Sequence, residues 1–351
     1  MIVKLYKYMR LRESFFDNPV FTATPWKSLN DPFEANVQDY QIENIVNHWI
    51  EGGDRYSLKD EKIIEKEGKA PEVKYTKESF ESEMDRLGVV SFTEDYRNLL
   101  MWAHYADEHR GMVVEISSVV TWLTNAVYSN PHHHGLRRFE YGPEPVNYDE
   151  MPQRVVYRQD RPLFEFPCDV EPIYDSQMIK SILLSKGDSW IYEKEHRSIL
   201  PLENADYIST IYSEELAEIV SESKFVRISG KQECQTKPIL GERCYISFEV
   251  ESDSRLVRVT SHEYMPFEPE ELRDIRFSIY LYIKYNSVDS RFLYKVDTRF
   301  ISGVYFGCNS PKKTVDSIVS KVRSAKIFSN EIYLKRANIS KERYALEFSD
   351  L

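Results

Sequence analysis

Residues Val89–Ile116, VVSFTEDYRNLLMWAHYADEHRGMVVEI, decide the fold of this chain because two apolar runs flank one polar segment. The runs 89–92 and 112–116 are rich in valine and other β-formers, which predicts a strand at each end. Between them, four residues recur at the spacing of one helical face: Trp102, Tyr105, Ala106 and His109. Gly111 follows at a place where helices commonly end in a left-handed residue. The stretch therefore predicts a strand, a helix ended by Gly111, and a second strand.

The predicted helix carries more hydrogen-bonding and stacking groups than a plain core helix needs. Two interpretations stay open at this point. In the first, the helix is an ordinary amphipathic helix in which Trp102 packs inward and the polar groups are solvated. In the second, His104 and Tyr105 belong to a functional site.

Composition limits the classes of function. The 351 residues include 57 acidic and 46 basic side chains, so the net charge of −11 argues against general nucleic-acid binding, although a local basic pocket remains compatible with it. Four cysteines without a CxxC pair indicate neither a zinc ribbon nor a disulfide scaffold. The consecutive His132–His134 diverge too much to favour one metal ion. The absence of a signal-like or membrane-length apolar run predicts a cytoplasmic protein with no membrane contact.

The order of the elements predicts a single α+β domain over residues 1–351, with mixed, mostly antiparallel sheets flanked by helices. Residues 41–86 are dominated by Lys and Glu, which predicts a polar, loosely packed insert. The segment of about 300–351 has the pattern of a C-terminal strand, helix and strand.

Near the N-terminus, alternating residues predict a strand over Val3–Tyr8, and a second strand over Val20–Thr24 ends at Pro25. The loop Ser28–Glu34, SLNDPFE, combines Asn and Asp with a proline. Asn and Asp satisfy backbone groups in Asx-turns, and proline restricts the residue before it, so we predict a rigid loop. Its sequence serves either a binding site or only the shape of the turn.

The segment from Gln177 to Leu200 contains the best candidates for acid–base chemistry. If the chain is extended from Tyr192 onward, Glu193, Glu195 and Arg197 share one face at a period of two. If it is helical, Glu195 points away from the other two. An ordinary ion pair of Arg197 is the simpler alternative. Two carboxylates beside one guanidinium allow an acid and an anion to coexist, and we expect the carboxylate farther from Arg197 to be the harder to ionise.

Four blocks resemble the DUF2971 family of uncharacterised bacterial proteins. They are LYKYM (5–9), SLNDPFE (28–34), the central stretch, and SWIYEKEHRSIL (189–200), in the order in which that family carries them. The resemblance spans about residues 1–200 and extends more weakly to the C-terminal segment. One departure is Ala103, where the family commonly has serine.

The order of parts in this family looks like that of ADP-ribosyltransferases, which hold NAD between two small antiparallel sheets. The resemblance implies NAD as a substrate, with no required cofactor and with a protein or nucleic acid as a candidate acceptor. It implies dinucleotide contacts by Tyr6, Lys7 and Tyr8, ring stacking by Trp102 and Tyr105, and catalysis by Glu193 or Glu195, with Glu195 favoured. The remaining candidates are His104 for catalysis, and Asn30, Asp31 and Arg197 for substrate binding. A toxin or effector role in bacterial phage defence is a further expectation.

Two other functions stay open. One is a ligand-sensing or partner-binding protein that uses the same cleft without turnover. The other is a metal-dependent nuclease that uses Asp31, Glu34, Glu193 and Glu195, since Mg²⁺ favours a few carboxylates. All of these readings predict that the four blocks converge, with Asn30, His104 and Glu195 within about 20 Å of one another.

Overall fold

A computed structural model describes residues 3–34, 36–52, 68–118, 151–163, 174–202, 205–211, 213–221, 226–229, 245–250, 256–262, 278–283, 290–324, 328 and 332–351. His132–His134 lie outside the described residues. Within the described part of the chain, no helix has the length and apolar character needed to cross a membrane.

The strands are β1 Val3–Met9, β2 Val20–Pro25, β3 Leu87–Thr93, β4 Met112–Ser118, β5 Gln153–Arg154, β6 Val156–Arg158, β7 Ser185–Gly187, β8 Glu195–Pro201, β9 Tyr207–Ile211, β10 Val226–Ser229, β11 Tyr245–Val250, β12 Leu256–His262, β13 Arg291–Lys295, β14 Ile301–Phe306, β15 Tyr333–Ile339 and β16 Leu346–Asp350. The α-helices are α1 Asp39–Gly52, α2 Ala70–Met84, α3 Leu99–Tyr105, α4 Tyr174–Leu183, α5 Glu214–Ser221 and α6 Lys312–Ser324, and a helical turn covers 278–283. Short 3₁₀ helices cover Glu13–Phe16, Trp26–Ser28, Asp188–Glu193 and Thr298–Phe300.

Most of these strands join one mixed sheet, and the fold is α+β, as predicted from the sequence. Its strand order is β10-β11-β12-β9-β13-β2-β3-β1-β4-β14-β15-β16, with β8 and β5 attached beside β3 and with β6 and β7 forming a separate pair. The pairs β10–β11, β14–β15 and β6–β7 are parallel, and the other described pairs are antiparallel. That residues 1–351 form a single domain stays a prediction from the sequence.

Strand β3 is the branch point of the sheet. It pairs with β2 at Val89, with β1 at Thr93, and with β8 along its whole length, from Leu87 opposite Pro201 to Thr93 opposite Glu195. Valine and phenylalanine fit such a strand because both of its faces are covered. This pairing places the glutamate-bearing strand β8 beside the central stretch of the sequence.

The predicted loose packing of residues 41–86 is wrong for the described residues of that range. Helix α1 buries Ile42, Ile45 and Val46, and α2 buries Phe80 and Met84 in the same apolar cluster. These side chains recur at helical spacing between charged residues, so each helix has one apolar face that packs on α4, β3 and β8. The alternating Lys and Glu residues lie only on the solvent-facing sides of these helices.

The central stretch forms the predicted strand, helix and strand, but its helix ends at Tyr105 rather than at Gly111. Three residues after the helix adopt positive φ angles, with values of 50° for Asp107, 52° for Glu108 and 66° for His109. The predicted left-handed conformation of Gly111 is wrong. Glycine is required there for close approach, because a Cβ atom would lie 2.4 Å from the Met9 carbonyl oxygen.

The C-terminal segment forms a strand, a helix and two closing strands, which are β14, α6, β15 and β16. Strand β14 pairs with β4, so the end of the chain completes the sheet that the central stretch begins. The buried face of α6 consists of Val315, Ile318 and Val319.

Candidate functional site

The backbone around Glu193 brings three predicted site residues together by an unexpected route. The chain is not extended from Tyr192, because Asp188–Glu193 form a 3₁₀ helix and β8 begins only at Glu195. Between them, Lys194 adopts a left-handed conformation with a φ of 46° and turns the chain. Glu195 and Arg197 then share one face of β8 as predicted, while Glu193 reaches the same place from the end of the 3₁₀ helix.

Arg197 is the centre of a buried set of ionic side chains, and only 1% of its side chain is exposed. Its Nε and Nη2 atoms donate to the two carboxylate oxygens of Glu195, each at 2.9 Å. Nη2 also donates to Oε1 of Glu34, and Nη1 donates to the Leu183 carbonyl oxygen at 2.5 Å. The planar guanidinium therefore joins the loop of Glu34 to the strand of Glu195.

Lys186 is the second cation of this set. Its Nζ lies 2.7 Å from Oε2 of Glu193, 3.4 Å from Oε2 of Glu195 and 3.8 Å from Oε2 of Glu34. We call Glu34, Lys186, Glu193, Glu195 and Arg197 the charged cluster. Burial alone would lower the pKa of Lys186, but the charges of Glu195 and Glu193 raise it.

Carboxylates outnumber cations in the charged cluster by three to two. Oε2 of Glu34 is buried and accepts no hydrogen bond from the described residues. Burial raises the pKa of Glu195, although Lys186 and a hydrogen bond from Ser91 act in the opposite direction. For Glu195, desolvation of the carboxylate therefore outweighs its ionic contacts. The expectation that the carboxylate farther from Arg197 is the harder to ionise stays a prediction.

A chain of hydrogen bonds connects the charged cluster to the protein surface. Nδ2 of the exposed Asn30 donates to the Tyr105 hydroxyl at 2.6 Å, and that hydroxyl donates to Oε1 of Glu193 at 2.5 Å. Burial and the neighbouring Glu193 raise the pKa of Tyr105. These bonds confirm that the second, third and fourth sequence blocks meet in one place.

The first block lies on the neighbouring strand, but its aromatic residues do not face a ligand site. Tyr6, Tyr8 and Trp102 are buried in an aromatic cluster, where Tyr8 and Trp102 meet edge to face at 5.4 Å between ring centroids. Trp102 is fully buried and its Nε1 donates to the Tyr96 carbonyl oxygen at 2.8 Å. The predicted stacking of a ligand on Trp102 and the predicted contacts of Tyr6 and Tyr8 do not hold in this structure, because these rings stabilise the core.

Two further predicted residues, Lys7 and His104, lie outside the charged cluster. Nζ of Lys7 donates to the Ser91 carbonyl oxygen at 2.8 Å, and burial lowers the pKa of Lys7 to about 8. His104 is exposed on α3, and its ring centroid lies 6.3 Å from that of Tyr105. His104 therefore makes no contact with the carboxylates of the charged cluster within the described part of the chain.

A cleft of about 390 Å³ opens beside the charged cluster. Glu34 and Lys186 belong to both, so the cluster lies directly behind the cleft lining. Of the predicted site residues, Asp31 lines this cleft. Other lining residues that our argument uses are Phe33, Arg158 and Trp190.

The walls of the cleft are tied to one another. Oδ1 of Asp31 accepts a hydrogen bond from the backbone amide of Phe33 at 2.9 Å, which is the predicted Asx-turn. Nη1 of Arg161 donates to the carbonyl oxygens of Phe33 at 3.0 Å and Asn36 at 2.6 Å. Nε2 of Gln41 donates to the Pro162 carbonyl oxygen at 2.7 Å. The rigid loop that the sequence predicts is therefore one wall of the cleft.

Sequence reasoning missed Lys186, Phe33 and Trp190 as members of the site. Lys186 reaches the carboxylates because β7 pairs with β6, where Lys186 lies opposite Tyr157. No local pattern marks a lysine in a short Ser-Lys-Gly strand. Phe33 and Trp190 both lie inside quoted sequence blocks, and the presence of a large aromatic ring in each block was the signal that could have drawn attention to them.

Three of the four carboxylates proposed as metal ligands, Glu34, Glu193 and Glu195, are paired with protein cations instead. Among the described residues, no group of three or more His, Cys, Asp or Glu side chains has the geometry to hold a metal ion. The ammonium of Lys186 and the guanidinium of Arg197 lie between the carboxylates of the charged cluster, where a metal ion would have to bind. The nuclease hypothesis has the least support from this geometry.

Comparison of the chain with protein-family models, with curated proteins and with solved structures gave no match. The resemblance to the DUF2971 family and the analogy with ADP-ribosyltransferases therefore stay predictions from the sequence.

Proposed function

We propose that this protein is a nucleotide-directed enzyme, with NAD as its first candidate substrate. The observation that carries the proposal is the position of the charged cluster directly behind a cleft of about 390 Å³, with Glu34 and Lys186 shared between them. Small-molecule sites are commonly concave and measure about 300–1,000 Å³. A cleft of this size accommodates a mononucleotide half of NAD.

The energetics of the charged cluster support a functional role. Removing charges from water costs several kcal/mol per ion, and ion pairing often only offsets that cost. Hydrophobic replacement of buried ion pairs often serves stability equally well, so a buried group of five ionic side chains favours a reason other than stability. Clusters with perturbed pKa values beside a cleft are typical of functional sites.

In the proposed reaction, water cleaves the N-glycosidic bond between the ribose C1′ atom and nicotinamide. Nicotinamide leaves with the bonding electron pair, the water oxygen bonds to C1′, and one proton is released, so that the products are nicotinamide and ADP-ribose. A carboxylate beside the ribose stabilises the developing oxocarbenium charge.

Asp31 is the carboxylate best placed to meet the substrate. It lines the cleft, and the described residues donate a hydrogen bond to only one of its oxygens. Glu193 and Glu195 are engaged with Lys186 and Arg197 behind that surface. In this proposal they set the charge and position of the cleft wall, while Asp31 contacts the substrate.

The test is release of nicotinamide from NAD by the purified full chain, measured by chromatography beside the Asp31→Asn, Glu193→Gln and Glu195→Gln variants. We expect Asp31→Asn to lower turnover by about 10²–10⁴-fold with little change in melting temperature. Lys74→Met, on the outer surface of α2, is the control and keeps full activity. Absence of nicotinamide release by the unchanged chain, or full activity of Asp31→Asn, would overturn the proposed reaction.

Ligand binding without turnover is the second candidate function. It is favoured by the engagement of Glu193 and Glu195 with protein cations, which leaves them as parts of a rigid support. Calorimetry distinguishes the two functions, since this candidate predicts heat of NAD binding in the absence of any nicotinamide release.

A toxin or effector role in phage defence, a protein or nucleic-acid acceptor and a cytoplasmic location belong to the same proposal. The toxin role and an acceptor that takes the place of water rest on the sequence resemblance, whereas the cytoplasmic location rests on the lack of a signal-like apolar run in the sequence. Growth arrest on expression of the unchanged chain, relieved by Asp31→Asn, would support the toxin role, and equal growth of both strains would contradict it.

A further inference from the structure

Phe33 is an exposed aromatic ring on a rigid turn. Its residue is 74% exposed, yet its backbone amide donates to Oδ1 of Asp31 at 2.9 Å and its carbonyl oxygen accepts from Arg161 at 3.0 Å. The next residue is held as well, because the Glu34 amide donates to the Asp31 carbonyl oxygen at 3.1 Å and the Glu34 side chain pairs with Arg197. A large apolar side chain is thus kept in solvent by a backbone that is fixed on both sides.

Trp190 belongs to a different wall of the same cleft. It lies in the 3₁₀ helix Asp188–Glu193, and its ring centroid is 4.7 Å from Nζ of Lys186. A second contact is with the ring of Tyr192, at 6.1 Å between centroids and with an interplanar angle of 34°. A cation near the ring of a tryptophan is attracted by its π electrons, so Lys186 helps to hold this ring in place.

We propose that Phe33 and Trp190 form a subsite for a flat aromatic ring, of the nucleobase or nicotinamide type. Two aromatic side chains, carried on separate elements and lining one cleft, offer the apolar surface on which such a ring stacks. The identity of the ligand as a nucleotide rests on the proposed function, but the ring specificity rests on these two side chains.

Arg158 supplies a positive charge for the phosphate group of a nucleotide whose ring is bound nearby. It lines the cleft at the end of β6, and no ion pair of its guanidinium with another described residue is present. Arginine binds phosphate oxygens through its planar fork. A ring bound by Phe33 and Trp190 therefore has a phosphate anchor within the same cleft.

The experiment measures binding of AMP, nicotinamide mononucleotide and ribose 5-phosphate by calorimetry and by the fluorescence of the full chain. We expect at least one ring compound to bind about 10-fold or more tightly than ribose 5-phosphate, which lacks a ring. Phe33→Ala should weaken binding of that compound by about 5- to 150-fold, and Phe33→Trp should restore it. Tyr344→Ala removes a different exposed aromatic ring, one that does not line the cleft, and it should leave binding unchanged.

Equal affinities for the ring compounds and ribose 5-phosphate, no binding by any of the ring compounds, or an unchanged affinity of Phe33→Ala would overturn the ring subsite. These outcomes are separable from failure of the proposed reaction. Ring-dependent binding without nicotinamide release defeats the reaction alone, whereas NAD turnover with an unchanged KM in Phe33→Ala defeats the subsite alone.

Discussion

Two regions of this protein bury glutamates, and they compensate the buried negative charge differently. Glu115 on β4 is a single carboxylate that accepts hydrogen bonds from Tyr305 at 2.7 Å, from Ser302 at 2.8 Å and from Tyr333, and it pairs with Lys4 at 2.7 Å. The charged cluster instead contains three carboxylates and two cations, and one of its oxygens has no donor among the described residues.

The direction of the pKa shifts differs accordingly. Burial by itself would raise the pKa of Glu115, but hydrogen bonds from Lys4 and its hydroxyl partners lower it. Burial raises the pKa of Glu195 despite its partners. A fully satisfied carboxylate is typical of a structural contact, whereas an incompletely matched group beside a cleft is typical of a functional one. The comparison teaches that burial of a glutamate alone does not mark a site. An unequal number of buried carboxylates and cations beside a cleft is the more informative feature.

The largest expected effect is that of Arg197→Met. This change leaves Glu34 and Glu195 buried without their guanidinium, and we expect the free energy of unfolding to fall by about 3–5 kcal/mol. Urea unfolding measures the loss, and Arg197→Lys, which keeps the charge without the planar fork, should lose less. Lys74→Met breaks a solvent-exposed pair with Glu78 and is the matched control, with little change expected. A loss from Arg197→Met as small as that of the control would contradict the central role of Arg197.

A smaller effect is expected for Glu115→Gln. The hydroxyl donors keep partners, but their hydrogen bonds to a charged acceptor are lost, so we expect a decrease of about 1.5–3 kcal/mol in the free energy of unfolding. Urea unfolding and calorimetry with nicotinamide mononucleotide are the measurements. Because Glu115 does not line the cleft, ligand affinity should not change, and a change of tenfold or more would erase the distinction between the two regions.

The smallest expected effect is a difference in pH dependence. The folded-state pKa of Glu115 lies below its ordinary value of 4.5, so its stabilising contribution is present above pH 4.5 and is lost as the pH falls through the folded-state pKa. The folded-state pKa of Glu195 lies above 4.5, so its contribution is present below pH 4.5 and is lost as the pH rises through the folded-state pKa. Urea unfolding at a series of pH values gives the free energy of unfolding of the unchanged chain and of each variant. The difference between the unchanged chain and Glu115→Gln should therefore change with pH in the opposite direction to the difference between the unchanged chain and Glu195→Gln. Changes in the same direction would mean that the two carboxylates do not differ in this way.

Local patterns in the sequence were enough for much of the fold. The valine-rich runs around α3 predicted β3 and β4, the Asx-turn at Asp31 predicted a rigid loop, and the period of two placed Glu195 and Arg197 on one face. Such features depend on side chains close together in the chain, where propensity and periodicity act directly. The helical faces of α1 and α2 were also present in the sequence, but the charged residues around them concealed the apolar spacing.

By itself, the sequence determined the α+β class, the strands of the central stretch and the meeting of the blocks that carry Asn30, Tyr105 and Glu193. Only the tertiary structure decided that Trp102 packs in the core, that Lys186 joins the carboxylates, and that the Glu195 pKa is raised. The reason is that burial and ion pairing depend on strands and loops far apart in the chain, such as the pairing of β7 with β6 and of β8 with β3. Desolvation is a property of the assembled fold, so no local pattern of residues reveals its sign.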